Sequence, residues 1–246
     1  MAGPRHRAGA ALSQSTAPVP GGARGGPLTG LLGGSFNPAH GGHRRITLFA
    51  MAALGLDEAW WLVSPGNPLK PRAGMAPLAT RFASAARQAR RAPIRVTAIE
   101  RDLGTRFTLD TLRALIRRYP RRRFVWLMGA DNLAQFHRWR DWRGIARTVP
   151  IAVIARPGYD ALAVASPAMA WLSRYRRTAA SLKSRAEWSA PALVILRFDP
   201  DSRSATALRL ADPEWARRLA ARPGAPALRD RVTFHPLPRQ PIEPFP

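Results

Sequence analysis

The 246-residue chain contains no cysteine, which excludes disulfides, thiolate zinc sites and thiol nucleophiles from its chemistry. No apolar run approaches the roughly 18 residues of a membrane span, and residues 1–27 lack the apolar core of a secretory signal. Acidic side chains are scarce, 15 against 39 Lys and Arg, for a net charge of +24. Lysine is nearly missing too: Lys70 and Lys183 are the only two, so arginine carries the excess. Setting aside Arg5, Arg7 and Arg24 leaves +21 on residues 28–246, a balance that attracts polyanions such as nucleic acid. Arginines on solvated helix faces give the same totals, so charge alone does not decide the function.

What is present is enough for a folded body, with 46% hydrophobic residues and 8 tryptophans. Residues 1–27, rich in Ala, Gly, Pro, Ser and Arg without an acid, read as a disordered leader. Residues 28–246 read as a single domain whose end, after 222, is a Pro-rich extended tail with a short strand near 231–234. The expected location is cytoplasmic.

Six short apolar runs recur at 28–33, 59–64, 94–99, 124–129, 151–155 and 192–198, almost continuously apolar, as strands buried on both faces are. Helical patterns separate them: 43–55, with Ile46, Phe49, Ala50 and Ala53 on one face and Gly55 as its C-cap, then 77–91 and 107–118, the latter stopped by Pro120. Residues 158–190 read as helical with less definition. This alternation predicts an α/β fold, a doubly wound parallel sheet of five to six strands, with ligands at the carboxyl ends of the strands.

At the end of the first run stands Gly33-Gly34-Ser35-Phe36-Asn37-Pro38-Ala39-His40-Gly41-Gly42-His43. Glycines let phosphate oxygens approach the main chain, the helix that follows offers N–H groups and a dipole, and two imidazoles one turn apart can donate to phosphate. Neither GxGxxG nor GxxxxGK[ST] is present, which disfavours bound NAD and P-loop hydrolysis. A His-x-x-His metal pair finds no third ligand. Ser204, Thr206 and Arg209 open a second helix, where two hydroxyls and a guanidinium can form a second anion cradle; on spacing alone an N-cap Ser followed by a surface Arg is the simpler reading. Gly129 and Asp131 close the fourth run, where a carboxylate can accept from a ribose hydroxyl or merely cap a helix. Trp139 and Trp142 lie in FHRWRDWR, where aromatics among arginines suit stacked RNA bases or a single aromatic ligand ring; Trp142 reads more readily as packing. Lys70, a point charge in an arginine-rich chain, sits in a Pro-rich loop.

Gly-Ser-Phe-Asn-Pro-x-His-x-Gly-His resembles the signature of the nucleotidyltransferase superfamily with an (H/T)xGH motif, and more narrowly that of the bacterial nicotinate-nucleotide adenylyltransferases. Ser64-Pro65-Gly66-Asn67-Pro68-Leu69-Lys70 is similar to that family's SPxNPLK loop. Thr108-Leu109-Asp110-Thr111-Leu112 resembles its TxxTL helix start, Gly129-Ala130-Asp131 its G-x-D, and Ser204-Ala205-Thr206-Ala207-Leu208-Arg209 its SSTxxR, with Ala205 in place of the usual second Ser. The motifs span residues 30–209 in the family's order.

The resemblance implies a Rossmann-like fold of the nucleotidyltransferase type and adenylyl transfer from ATP to nicotinate mononucleotide, giving nicotinic acid adenine dinucleotide and pyrophosphate. It implies His40, His43, Lys70 and Arg209 as catalytic residues. ATP would meet Gly33, Gly34, Ser35, Phe36, His40, His43, Gly129, Asp131, Ser204, Thr206 and Arg209. Nicotinate mononucleotide would meet Asn37, Lys70, Thr108, Trp139 and Arg156, with Trp139 clamping the pyridine and Thr108 helping to hold its carboxylate. Mg²⁺ would come bound to the ATP phosphates and not to a protein site. Pantetheine-phosphate or nicotinamide-mononucleotide adenylyl transfer is the nearer alternative, and a basic RNA-binding protein the one from another class. Nucleic acid and membrane are not the expected partners, and a homo-oligomer stays open.

Overall fold

The computed structural model describes residues 26–66, 73–155, 160–184, 188–198, 204–220 and 227–237. Six strands, β1 Leu28–Gly34, β2 Glu58–Val63, β3 Ile94–Thr97, β4 Arg123–Gly129, β5 Ile151–Ala155 and β6 Leu193–Arg197, form one sheet in the order β3-β2-β1-β4-β5-β6. Every pairing within it is parallel. The six apolar runs of the sequence are these strands. The run expected over 94–99 ends early, because Ile99–Asp102 turns into a short helix, α3.

Successive residues of a strand face opposite sides, and this divides the core in two. Leu32, Trp61 and Leu127 belong to one half, while Leu31, Trp60 and Trp126 belong to the other. Over the first half lie α1 Gly41–Leu54 and α2 Leu78–Gln88. Over the second lie α4 Thr108–Arg118, α5 Ala130–Gln135 and α6 Trp142–Thr148. Gly55 ends α1 with φ 63°, a left-handed C-cap that glycine adopts without strain. Trp61 Nε1 donates to Thr47 Oγ1 at 2.9 Å, which fixes α1 on β2.

From β1 the chain winds outward through β2 to β3, then crosses back to place β4 on the other flank of β1. The reversal between β1 and β4 is where a crevice opens in such sheets. Residues 158–190 yield short helices, α7 Asp160–Val164, α8 Pro167–Leu172 and α9 Ala179–Lys183. The segment after β6 adds α10 Ala205–Ala211 and α11 Trp215–Leu219.

The strand expected near 231–234 is a tight turn instead. Asp230 is buried, accepts from Val232 N and Thr233 N within the turn, and takes Thr97 Oγ1 and Ala98 N at the end of β3. A carboxylate satisfied by that many donors curls the chain back where an extended strand would leave it exposed. The leader, except Gly26 and Pro27, and the tail after Leu237 lie outside the described residues.

Candidate active site

The turn after β1 is built by its own side chains. Phe36 has a positive φ of 49°, and the Asn37–Pro38 peptide is cis. Asn37, almost wholly buried, donates from Nδ2 to the Gly74 carbonyl at 2.9 Å and accepts from Ala76 N at 3.1 Å. Its amide thus anchors the segment leading into α2.

His40 is the N-cap of α1, and its N–H donates to His43 Nδ1 at 3.2 Å. With Nδ1 used as an acceptor, the proton of a neutral His43 ring sits on Nε2, which makes that atom a donor. The His40 and His43 ring centroids are 3.9 Å apart, and His43 packs 5.0 Å from Phe36 and 6.1 Å from Trp61. Aromatic neighbours on several sides hold the imidazole in one orientation.

Helix α10 joins this cluster. Arg209 donates from Nη1 to the Asn37 carbonyl at 2.6 Å and from Nη2 to Thr206 Oγ1 at 3.1 Å. Ser204 is its N-cap, with Oγ accepting from Ala207 N at 3.0 Å. Phe36, Asn37, His40, His43, Thr206 and Arg209 are therefore one assembly.

Across the β1 turn lies a cavity of about 270 Å³. It takes in Gly33, Gly34, Ser35, Thr108 and Trp139 among the expected site residues. Gly33 is glycine for a steric reason: a Cβ there would come within 2.6 Å of the Trp126 ring. Trp139 stands edge-on to Trp126, with centroids 6.2 Å apart. Thr108 is the first residue of α4, with Phe107 at the N-cap position. Arg140 lies over the Phe107 ring at 4.4 Å and pairs with Asp110 at 3.5 Å. Arg106 and Arg138 also line the space.

Gly129 caps α5 and Asp131 is exposed in its first turn, near the crevice but outside the cavity lining. A Cβ on Gly129 would run into the Asp131 carboxylate. Lys70 and Arg156 lie outside the described residues. Trp142 packs edge-on against Phe136 and Trp171 at the border of the core, as its packing reading expects.

Three residues of the site were not singled out by sequence. Arg81, 2% exposed, donates to the carbonyls of Ala76, Ser35, Ser64 and Pro65, tying the ends of β1 and β2 to the start of α2. Burial lowers its pKa to about 10, so it stays charged at neutral pH. Its signal was legible: it lies on the apolar stripe of Leu78, Phe82 and Ala85, where a charge needs a reason. Glu100, buried at the cavity wall, has its pKa raised to about 7 by desolvation, against hydrogen bonds from Ser64 and Thr111. Trp126 was hidden in a strand that reads as core.

The parallel order, the crevice at β1 and β4 and the HxGH helix start define a nucleotidyltransferase with a Rossmann-like fold. Residues 31–210 match the cytidylyltransferase-like family. A probable nicotinate-nucleotide adenylyltransferase of Erythrobacter litoralis is 74% identical over 190 residues, 77% of this chain and 87% of that protein. One from Bradyrhizobium sp. is 51% identical over 186 residues, 76% of this chain and 97% of that one. A solved Plasmodium falciparum nicotinic acid mononucleotide adenylyltransferase complexed with NaAD shares the fold, with a TM-score of 0.53 and 14% identity over 75% of this chain and 83% of that one. The chain belongs to the cytidylyltransferase-like family and, within it, to the nicotinate-nucleotide adenylyltransferases.

Proposed function

We propose that the two halves of the site divide the reaction: the His40, His43 and Arg209 assembly takes the triphosphate of ATP, and the cavity at Thr108 and Trp139 takes nicotinate mononucleotide. The observation that carries this reading is their position on either side of residues 33–37, with the imidazoles and guanidinium next to a cavity of about 270 Å³ lined by Thr108 and Trp139. The product is nicotinic acid adenine dinucleotide, in a cytoplasmic step of NAD biosynthesis.

The attacking group is a phosphate monoester with a second pKa near 6, largely a dianion at neutral pH. It needs alignment with the α-phosphorus and no general base. His43 Nε2, the α1 amides and Arg209 donate to oxygens that gain charge as pyrophosphate departs. Lys70 would add a charge there, and Arg156 would meet the mononucleotide phosphate. Gly129 and Asp131 would flank the ATP ribose, and Ser204 would hold α10 in place. The donor set on this side fits phosphate oxygens and not a cation, so Mg²⁺ would be held by the triphosphate and supply charge neutralisation on the leaving group.

The test is pyrophosphate release from ATP and Mg²⁺ with nicotinate or nicotinamide mononucleotide. Release with the nicotinate form well above the amide is expected. Equal rates would overturn the assignment of Thr108 and Trp139 as carboxylate and ring contacts.

A further inference from the structure

Three arginines line the cavity, Arg106, Arg138 and Arg140, against one acidic residue, Glu100. Glu100 is buried in the wall, its carboxyl accepts from Thr111 Oγ1 at 3.4 Å, and desolvation raises its pKa to about 7. At neutral pH it therefore offsets only part of the positive charge. Two of the arginines are engaged: Arg140 pairs with Asp110 at 3.5 Å and lies over the Phe107 ring at 4.4 Å, and Arg106 lies over that ring at 5.8 Å. Arg138 is exposed and has no ion pair, hydrogen bond or ring contact among the described residues.

A solvated arginine is ordinary on a surface, and what sets Arg138 apart is where its main chain is held. It ends the 3-10 turn Phe136–Arg138, and Trp139 follows directly, its N–H donating to the Phe136 carbonyl at 3.0 Å. The Trp139 ring is packed edge-on against Phe136 and Trp126, with centroids 5.4 and 6.2 Å away. Arg138 and Trp139 both line the cavity, so a guanidinium stem starts one residue from the ring assigned to the pyridine.

Nicotinate mononucleotide carries an anion at each end. Its phosphate is the nucleophile, and alignment with the α-phosphorus turns it toward the His40, His43 and Arg209 assembly. The pyridine carboxylate is the anion left in the cavity, and a guanidinium fork matches its two oxygens. A carboxamide offers one acceptor oxygen and an NH₂ that would face donors with its own.

Resting on the division of the site given above, we propose that Arg138 is a specificity residue that donates to the carboxylate of nicotinate mononucleotide and so selects the acid over the amide. Arg138→Gln keeps a polar side chain and removes the charge. Because the side chain is exposed, the variant should unfold at the wild-type urea midpoint. It is expected to raise KM for nicotinate mononucleotide about tenfold, the scale of one hydrogen bond to a charged group. KM for the nicotinamide form and for ATP should hold, so the preference for the acid shrinks by the same factor. Arg138→Lys, which keeps the charge without the fork, should recover part of the loss.

An equal rise with both mononucleotides would place Arg138 on the phosphate they share and overturn the proposal, as would an unchanged KM for the nicotinate form. Titration calorimetry with each mononucleotide makes the same comparison without turnover. Wild-type protein that binds and uses the two forms equally would sink the division of the site together with this proposal. A wild-type preference that survives intact in Arg138→Gln would sink the proposal alone.

Discussion

Arg209 donates through Nη1 to the main-chain carbonyl of Asn37 at 2.6 Å, joining two residues 172 positions apart. The contact fastens α10 to the turn after β1, and the guanidinium is fixed again by Thr206. Arg209→Ala is expected to lower kcat/KM for ATP by roughly a hundredfold, the effect of one preorganised donor. Arg209→Lys should recover only part, because an ammonium cannot reproduce the fork that spans both acceptors. Steady-state pyrophosphate release checks this, and a threefold effect or less in Arg209→Ala would refute it.

His43 is held by its neighbours in a way that separates binding from chemistry. It belongs to the His40 and His43 cluster proposed to take the triphosphate and not to the cavity lining. His43→Ala should therefore lower kcat by about 10²–10³ while leaving KM for the mononucleotide nearly unchanged. A variant whose KM rises and whose kcat survives would move His43 to the binding side.

Arg81 is a positioning residue, since its donors reach carbonyls at the ends of two strands and the start of a helix. Arg81→Met leaves those acceptors without their donors, and a loss of about 2–3 kcal/mol in urea unfolding is expected. KM should rise for nicotinate mononucleotide, because Ser35 and Ser64, whose carbonyls Arg81 holds, both line the cavity. Arg81→Lys should rescue little, having one donor point where a fork is used.

The sheet was legible because parallel strands buried on both faces are continuous apolar runs, and the six runs coincide with the six strands. His40, His43 and Arg209, which the structure gathers at the turn after β1, were legible as a group because they lie in motifs with fixed spacing. Trp126 was not, since a strand's period says which face a residue takes but not whether that face ends at core or at cavity. Glu100 was missed because what makes it notable is burial, which appears only once the chain has folded around it; Arg81 could have been found from its place on the apolar stripe of α2. The turn at 231–234 was misread because its shape comes from Asp230 contacting Thr97 and Ala98, residues more than a hundred positions away.

Glu100 makes stability depend on pH in a defined direction. Its ordinary pKa is 4.5, and burial raises it to about 7 in the folded protein. Between those values the folded protein holds a proton that the unfolded chain has released, so the contribution of Glu100 is full below about 4.5, declines as pH rises, and is spent above about 7. The span corresponds to something on the order of 3 kcal/mol. Glu100→Gln, neutral throughout, should be close to wild type at pH 5 and more stable at pH 8, as read by urea midpoints across that range. The same ionisation places a negative charge in the wall of a cavity otherwise lined by Arg106, Arg138 and Arg140. KM for nicotinate mononucleotide should therefore rise through pH 7 in the wild type and stay level in Glu100→Gln. A stability difference between the two proteins that does not change with pH would show that Glu100 is charged in the folded state throughout.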